Sequence, residues 1–487
     1  MVVNSLNFLL FFVVVFVVYY LPISRKSHKF QNTWLFLASY FFYGFADWKM
    51  IPLLLGATIV FYGIGLWLKA EMEKGHVKNA SNITTLGVVL GVGVLLYFKY
   101  LNFFADSFAQ LLKAIGFNLT WTTLNIVLPI GVSFFTFKLI SYVIEVHREH
   151  IQPSKDFIEF GTYVAFFPTI LSGPIDRPNS FLPQLSETRL FRYDLAIDGC
   201  RQILWGMFTK MCIADNLATM TDSAWASYSE QSGSTLLIAA FLYFIQLYAD
   251  FDGYSNMAIG VSKILGFTVA RNFNHPLLSR NTAEYWRRWH MSLTLWITDY
   301  IFMPLNIAFR EKGNWGIILA CTINLFIIGL WHGANWTFGL YGLYHGFLFV
   351  PLIILGSFGK NRKIKPGFKG LPKMKDFSKM VLTFLLVAFG LILFRADSIH
   401  DAILFVSGVL TSSIVSKPTI PVSSITLLFI FILILLEWYK RDKEHPLQFT
   451  SNLLLKKSYV RYTLYYIIII LIYFCQGNSS SFIYFQF

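Results

Sequence analysis

The chain has 487 residues, of which 55% are hydrophobic, 18% aromatic and only 14% charged. Soluble globular proteins carry about 25% charged residues, so this composition excludes a soluble domain and defines an integral membrane protein. The formal net charge of +14 is expected from cytoplasmic loops that collect Lys and Arg; nucleic acid is not an expected partner.

Apolar runs near the roughly 20 residues that a spanning helix needs occur, in chain order, at Leu6–Leu21, Ile51–Leu68, Ile83–Phe98, Leu236–Tyr248, Gly316–Trp331, Phe338–Leu355, Val381–Phe394, Ile425–Trp438 and Tyr462–Phe474. The first has no basic region before it and no small-residue cleavage site, so it reads as a retained helix rather than a cleaved signal. Basic segments alternate with the runs: "SRKSHK" (24–29), the Lys-bearing stretch 69–78, "HREHIQPSK" (147–155), "GKNRKIKPGFKGLPKMK" (359–375) and "KRDKEHP" (440–446). Placing all of them in the cytoplasm puts the N-terminus and the final "FIYFQF" outside. The polar stretches at about 174–198 and 357–378 read as loops or surface helices. No internal repeat is visible, which argues against a transporter of related halves. Cys200, Cys212, Cys321 and Cys475 lack CxxC spacing and are expected as small core residues without disulfides.

The middle of the chain, about 126–346, differs from its flanks. Its apolar runs are shorter and are broken by Pro, Gly, Asp, Asn and His, as in "LPIGVSFFTF" (128–137), "FFPTILSGPIDRP" (166–178) and "YADFDGYSNMAIG" (248–260). Irregular polar backbone survives at membrane depth only where it is buried in protein or lines a wet cavity. This third is therefore expected to surround a tunnel, with the flanking thirds as its wall. Asn281 is a predicted N-cap, with Glu284 reaching back as in a capping box. The helix it starts is predicted to run on through "EYWRRWHMSLTLW", placing Trp286, Trp289, His290 and Thr294 near one face and Arg287 beside His290.

Ionisable groups inside membrane segments are functional candidates by default. His275, before Pro276, reads as an interfacial polar residue, and His345, inside an apolar helix, as a core histidine. His290 is either a structural hydrogen-bonder or a catalytic or binding group. His332, in "GLWHGANWTF" (329–338), sits at a Gly-flanked junction between two apolar runs. Asp250, Asp252 and Arg280 are expected as polar glue rather than catalysts. No HExxH, CxxC pair or His-rich tract is present, so no metal is expected, and no GxSxG elbow supports a Ser hydrolase. A neutral imidazole acting as general base, with a pKa of about 6.5, suffices for direct attack of a hydroxyl on a thioester.

Several of these segments, in order, resemble the membrane-bound O-acyltransferases, and in particular the branch containing the bacterial alginate O-acetyltransferase subunit. The matching pieces are "LPIGVSFFTFKLISYVIEV" (128–146), "FFPTILSGPIDRP" (166–178), "QLYADFDGYSNMAIG" (246–260), "NFNHP" (272–276), "YWRRWHMSLTLWITDYIFMPL" (285–305), "GLWHGANWTFGLYGLYHG" (329–346), "LFRA" (393–396) and "FIYFQF". The resemblance implies one polytopic all-α domain over 1–487, with its catalytic core at about 126–346 and roughly 11–16 spanning, re-entrant and interfacial helices around a transmembrane tunnel. It places the family's catalytic histidine at His332 and a second characteristic histidine at His290. It implies transfer of an acetyl group from a cytoplasmic donor, expected to be acetyl-CoA, across the inner (cytoplasmic) membrane to an extracytoplasmic polysaccharide or acetyltransferase partner. No bound cofactor is expected.

Arg287 and Arg288 suit a donor's phosphates, and Trp331, Trp336 and Asn335 are expected near donor or substrate. Asn335 is either a hydrogen-bonder to His332 or to the developing oxyanion, or a helix cap. Gly329, Gly333 and Gly346 allow close backbone approach. Lys138 stands where the family pattern has Gln, which reflects either a different donor or a local salt bridge and bears on donor specificity. The alternatives are D-alanyl transfer to teichoic acid, a transporter or flippase, and a structural subunit of a polymer synthase.

Overall fold

A computed structural model describes residues 3–22, 27–117, 126–359, 370–419, 423–449, 457–477 and 482–483. The basic positions 24–26 and 360–369 and the last four residues of "FIYFQF" lie outside the described residues. Everything described is helix, turn or loop, as the composition predicts, and no strand occurs among the described residues. They group into two compact units, Met1–Cys200 with Ala258–Ala270, and Arg201–Met257 with Arg271–Phe487.

The first unit holds α1 (Leu6–Tyr19), α2 (His28–Asp47), α3 (Ile51–Glu73), α4 (Val77–Leu95), α5 (Leu101–Ala114), α6 (Val132–His147), α7 (Phe157–Ala165), α8 (Pro178–Leu185) and the start of α9 (Tyr193–Phe208). The second holds the rest of α9, α10 (Asp215–Ala226), most of α11 (Gly233–Ile264), α12 (Thr282–Trp286), α13 (Met291–Ile297), α14 (Met303–Ala308), α15 (Asn314–His332), α16 (Trp336–Ile354), α17 (Met374–Arg395), α18 (Ile399–Val409), α19 (Ser424–Tyr439) and α20 (Ser458–Cys475).

Among the described residues, seven helical stretches are long and apolar enough to cross a membrane, and α1, α18 and α19 are shorter apolar helices. Each predicted apolar run falls on one of these stretches. The run list missed α2, whose apolar stripe is interrupted by Gln31, Asn32 and Ser39. These polar residues face inward: Gln31 exchanges two hydrogen bonds with the Arg189 backbone, and Asn32 Oδ1 accepts from Arg189 Nη2 at 2.6 Å. A buried guanidinium with this many partners ties α2 to the segment after α8 within the first unit.

In the same unit, α6 is buried nearly all round. Its Lys138 ammonium is buried and donates to the Tyr163 carbonyl and to Thr169 Oγ1, both at 3.2 Å. The expectation that all four cysteines are core residues needs correcting. All are free, and Cys212 and Cys321 are buried, but Cys200 is exposed on α9 and Cys475 is only half-buried at the end of α20. Apolar sequence around a residue does not say which face of a helix it takes, and in a membrane protein the outward face is apolar too.

Candidate active site

The site is built in the second unit on the α15–α16 hairpin. The two helices are joined by Gly333, Ala334 and Asn335, and His332 is the last residue of α15. They pack backbone to backbone because glycines face each other across the seam. A Cβ on Gly342 would run into the Leu325 carbonyl oxygen, and one on Gly329 into the Phe338 carbonyl oxygen. Asn335 is the N-cap of α16. Its Oδ1 accepts from the Thr337 N–H at 3.1 Å, and its Nδ2 donates to the Asp397 carbonyl at 2.8 Å, so both ends of the amide are engaged. The hairpin is thereby latched to the turn after α17, and His332 is held at its tip.

His290 arrives from a different element. Asn281 caps α12 as predicted, accepting from the Glu284 N–H at 2.8 Å. Glu284 reaches back one residue further than a capping box requires, to the Arg280 N–H at 3.1 Å. The predicted continuous helix through "EYWRRWHMSLTLW" does not form. The chain leaves helix after Trp286, and His290 takes a left-handed conformation, φ 40° and ψ 52°, as the N-cap of α13. The one-face arrangement of Trp286, Trp289, His290 and Thr294 is therefore overturned. What overrides helix propensity is the loop before α12. Asn274 N–H donates to the Arg288 carbonyl at 3.0 Å and Met291 N–H to the Asn272 carbonyl at 2.8 Å, taking up backbone groups on both sides of the kink. A non-glycine residue in this conformation costs about 1–3 kcal/mol and recurs at functional sites.

Together these elements bring the two histidines side by side. The rings of His290 and His332 have centroids 6.1 Å apart and planes tilted by 52°. Both are almost fully buried. Phe251 of α11 meets His290 edge-on at 4.7 Å, Phe394 of α17 meets His332 at 5.1 Å, and Trp331 touches both, at 5.6 and 5.2 Å. Two imidazoles in an aromatic enclosure lie in a low-dielectric setting, where electrostatic contacts with a substrate are strengthened.

A cavity of about 440 Å³ is lined by neighbours of this pair, though by neither histidine itself. Met291, next to His290, and Ile328, one turn before His332, are part of its lining, together with Trp286, Arg287, Asn324 and Phe358. Arg287 donates to the Phe358 carbonyl at 3.3 Å. Arg288 is committed elsewhere, to Glu284 at 2.9 Å and to the Asn274 carbonyl at 3.0 Å. Burial works against a charge on Glu284, but its hydrogen bonds from Arg280, and the Arg280 and Arg288 charges, outweigh that and hold its carboxyl below the ordinary value. Trp336 is half-exposed at the start of α16.

His345 is fully buried and accepts from Trp286 Nε1 at its Nδ1, 3.2 Å away. That bond places its proton on Nε2 and makes it a brace for a wall of the cavity. Asp250 pairs with Lys210 at 2.7 Å and accepts from the Ile483 N–H at 2.9 Å, while Lys210 also holds Asp215 at 2.6 Å. Asp252 accepts from Asn256 Nδ2 at 2.8 Å. His275 lies 3.8 Å from Glu437, which also takes a short hydrogen bond from Tyr248. Among the described residues no group of three His, Cys, Asp or Glu is placed to hold a metal ion.

Sequence reasoning passed over Lys210, Glu437, Asn324, Phe251 and Phe394. Glu437 carried a usable signal, a lone carboxylate in "LLFIFILILLEWY", where a buried charge demands a partner. Phe251 and Phe394 carried none, since 50 phenylalanines leave no means of telling an enclosure from lipid-facing surface.

A many-helix membrane bundle with two histidines enclosed at a hairpin tip fits one class of enzyme. The chain belongs to the membrane-bound O-acyltransferase family, whose model matches residues 78–358. It is a multi-pass membrane O-acyltransferase using an acyl donor. It is 37% identical over 409 residues to a probable alginate O-acetylase of Pseudomonas aeruginosa, covering 82% of this chain and 73% of the relative. A peptidoglycan O-acetyltransferase of Helicobacter pylori is 30% identical over 410 residues, 79% of this chain and 74% of the relative. A teichoic acid D-alanyltransferase of Bacillus subtilis is 30% identical over 284 residues, 57% of this chain and 71% of the relative.

Proposed function

We propose that the chain, acting as one catalytic domain with its core at 126–346, carries acetyl groups from cytoplasmic acetyl-CoA across the inner membrane for O-acetylation of an extracytoplasmic polysaccharide. A partner acetyltransferase or the polymer itself takes the group on the far side. The observation that carries this reading is the His290–His332 pair, 6.1 Å apart between ring centroids, enclosed by aromatic rings beside a cavity with one arginine in its lining.

In the proposed reaction, a neutral His332 imidazole removes the acceptor hydroxyl proton as the oxygen attacks the thioester carbonyl carbon. The new C–O bond gives a tetrahedral oxyanion, towards which His290 donates. Collapse breaks the C–S bond, the electron pair leaves on sulfur, and the imidazolium returns its proton to give the free thiol. Thiolate leaves readily, so no covalent enzyme intermediate is needed. A positioned general base contributes about 10²–10⁴-fold.

The test is His332→Ala in protein of normal abundance and melting temperature. Polymer-bound acetate is expected to fall about 10²–10⁴-fold, and unchanged acetylation would remove His332 from the mechanism. The match to a D-alanyltransferase over 57% of the chain supports a second reading, D-alanyl transfer from a carrier protein. Purified protein supplied with labelled acetyl-CoA or with D-alanyl-loaded carrier separates the two.

A further inference from the structure

The turn at His290 is gripped by one residue of the loop before α12. Asn272, in "NFNHP" (272–276), is fully buried, and Ser255 and Ser292 beside it are buried too. Its backbone carbonyl accepts from the Met291 N–H at 2.8 Å. Its side-chain Oδ1 accepts from Ser292 Oγ at 2.6 Å, and its Nδ2 donates to Ser255 Oγ at 2.9 Å. The first two contacts hold the two residues that follow His290. The third holds α11 one turn after Phe251, the ring that meets His290 edge-on at 4.7 Å. Phe273, next in the chain, packs on Phe251 and on Trp289, both at 5.0 Å. One carboxamide thus ties the backbone that carries the His290 ring to the helix that carries its neighbour.

His290 stands in a left-handed conformation between α12 and α13. Such a conformation persists in a non-glycine residue only where the surroundings hold it. Neither helix fixes the direction of the ring from that position, so the contacts on the flanking residues do. Short hydrogen bonds in a buried setting are directional and strong, which suits them to that task. A catalytic group must be held to within about 0.5 Å of its productive place, and a misplacement of about 1 Å can cost about 10²-fold. Resting on the role proposed above for His290, we infer that Asn272 is a positioning residue for acyl transfer, its carboxamide clamped between Ser255 and Ser292 to set the direction of the His290 imidazole. Being fully buried, it acts through His290 and not by touching donor or acceptor.

The test uses the full-length purified protein with whichever of acetyl-CoA or D-alanyl-loaded carrier protein turns over in the wild type. It also reads His290 directly, from the ring resonances of nitrogen-labelled histidine, assigned by their loss in His290→Ala. Ser292→Ala removes one bond of the clamp and is the milder change; Asn272→Ala removes both side-chain bonds. The first is expected to lower kcat roughly tenfold and the second roughly a hundredfold, with KM for the donor unchanged and the His290 resonances moved in both. In a His290→Ala background, adding Ser292→Ala is expected to lower the residual rate no further, because the group through which the clamp acts is gone. A merely structural role would lower that residual rate by the same factor as in the wild type. A folded Ser292→Ala protein with wild-type kcat overturns the inference. So does a fall in kcat with the His290 resonances unmoved, or an equal proportional fall with and without His290. His290→Ala with wild-type activity overturns the role of His290 itself, whereas an inactive His290→Ala beside a folded and fully active Asn272→Ala overturns only the clamp.

Discussion

At the scale of single residues, His290 joins backbone strain and a proposed chemical role in one position. Its φ of 40° is a conformation glycine adopts freely and other residues pay for, at about 1–2 kcal/mol. His290→Gly and His290→Ala both delete the ring, but only the first relieves the backbone. The glycine variant is expected to be about 1 kcal/mol more stable than the alanine variant, read as a higher melting temperature in detergent, with acyl transfer lost from both. An alanine variant that keeps wild-type activity would leave His290 as a structural kink only. A second residue-level expectation concerns Lys210, which neutralises Asp215 and Asp250 in a buried cluster. Lys210→Met strands two carboxylates and should cost about 3–5 kcal/mol, while adding Asp250→Asn to it should recover part of that loss. His332 was legible as a candidate because a histidine between apolar runs is anomalous by itself. Asn324, part of the cavity lining, was not, because an asparagine in an apolar helix becomes informative only once its surroundings are known.

At the scale of elements, the α15–α16 seam sets where His332 stands. Gly342→Val would push a side chain into the Leu325 carbonyl and the Phe326 backbone, and backbone cannot move aside as a side chain does. The helices must separate, so a cost of about 2 kcal/mol or more is expected, with activity lost through displacement of His332. Gly93 on α4 has open space where its Cβ would be, so Gly93→Ala should instead stabilise by about 0.5–1 kcal/mol. Thermal unfolding of the two variants decides this pair. The glycine pattern of "GLWHGANWTFGLYGLYHG" made close approach legible in the sequence. The break between α12 and α13 was not legible: "EYWRRWHMSL" contains no Gly or Pro, and the loop that takes up the freed backbone groups lies more than ten residues earlier.

At the scale of the whole molecule, the alternation of basic segments with apolar runs makes a topological prediction. Asp442, after α19, should face the cytoplasm, and Asp397, after α17, the outside. In a background lacking the four native cysteines, Cys at position 397 should react with an impermeant maleimide in intact cells, and Cys at position 442 only after permeabilisation. Reversed labelling would invert the proposed direction of transfer.

Composition and periodicity by themselves determined that this chain is an all-helical membrane protein, where most of its apolar helices run, and that His332 is out of place between two of them, because the cost of polar groups in a bilayer is written locally in the run lengths. Only the tertiary structure decided that His290 and His332 adjoin, that Phe251 and Phe394 wall them in, and that Asn335 and His345 act as cap and brace. Those outcomes depend on contacts between helices distant in sequence, and aromatic residues that face a site, a core or lipid are the same letters until the chain is folded.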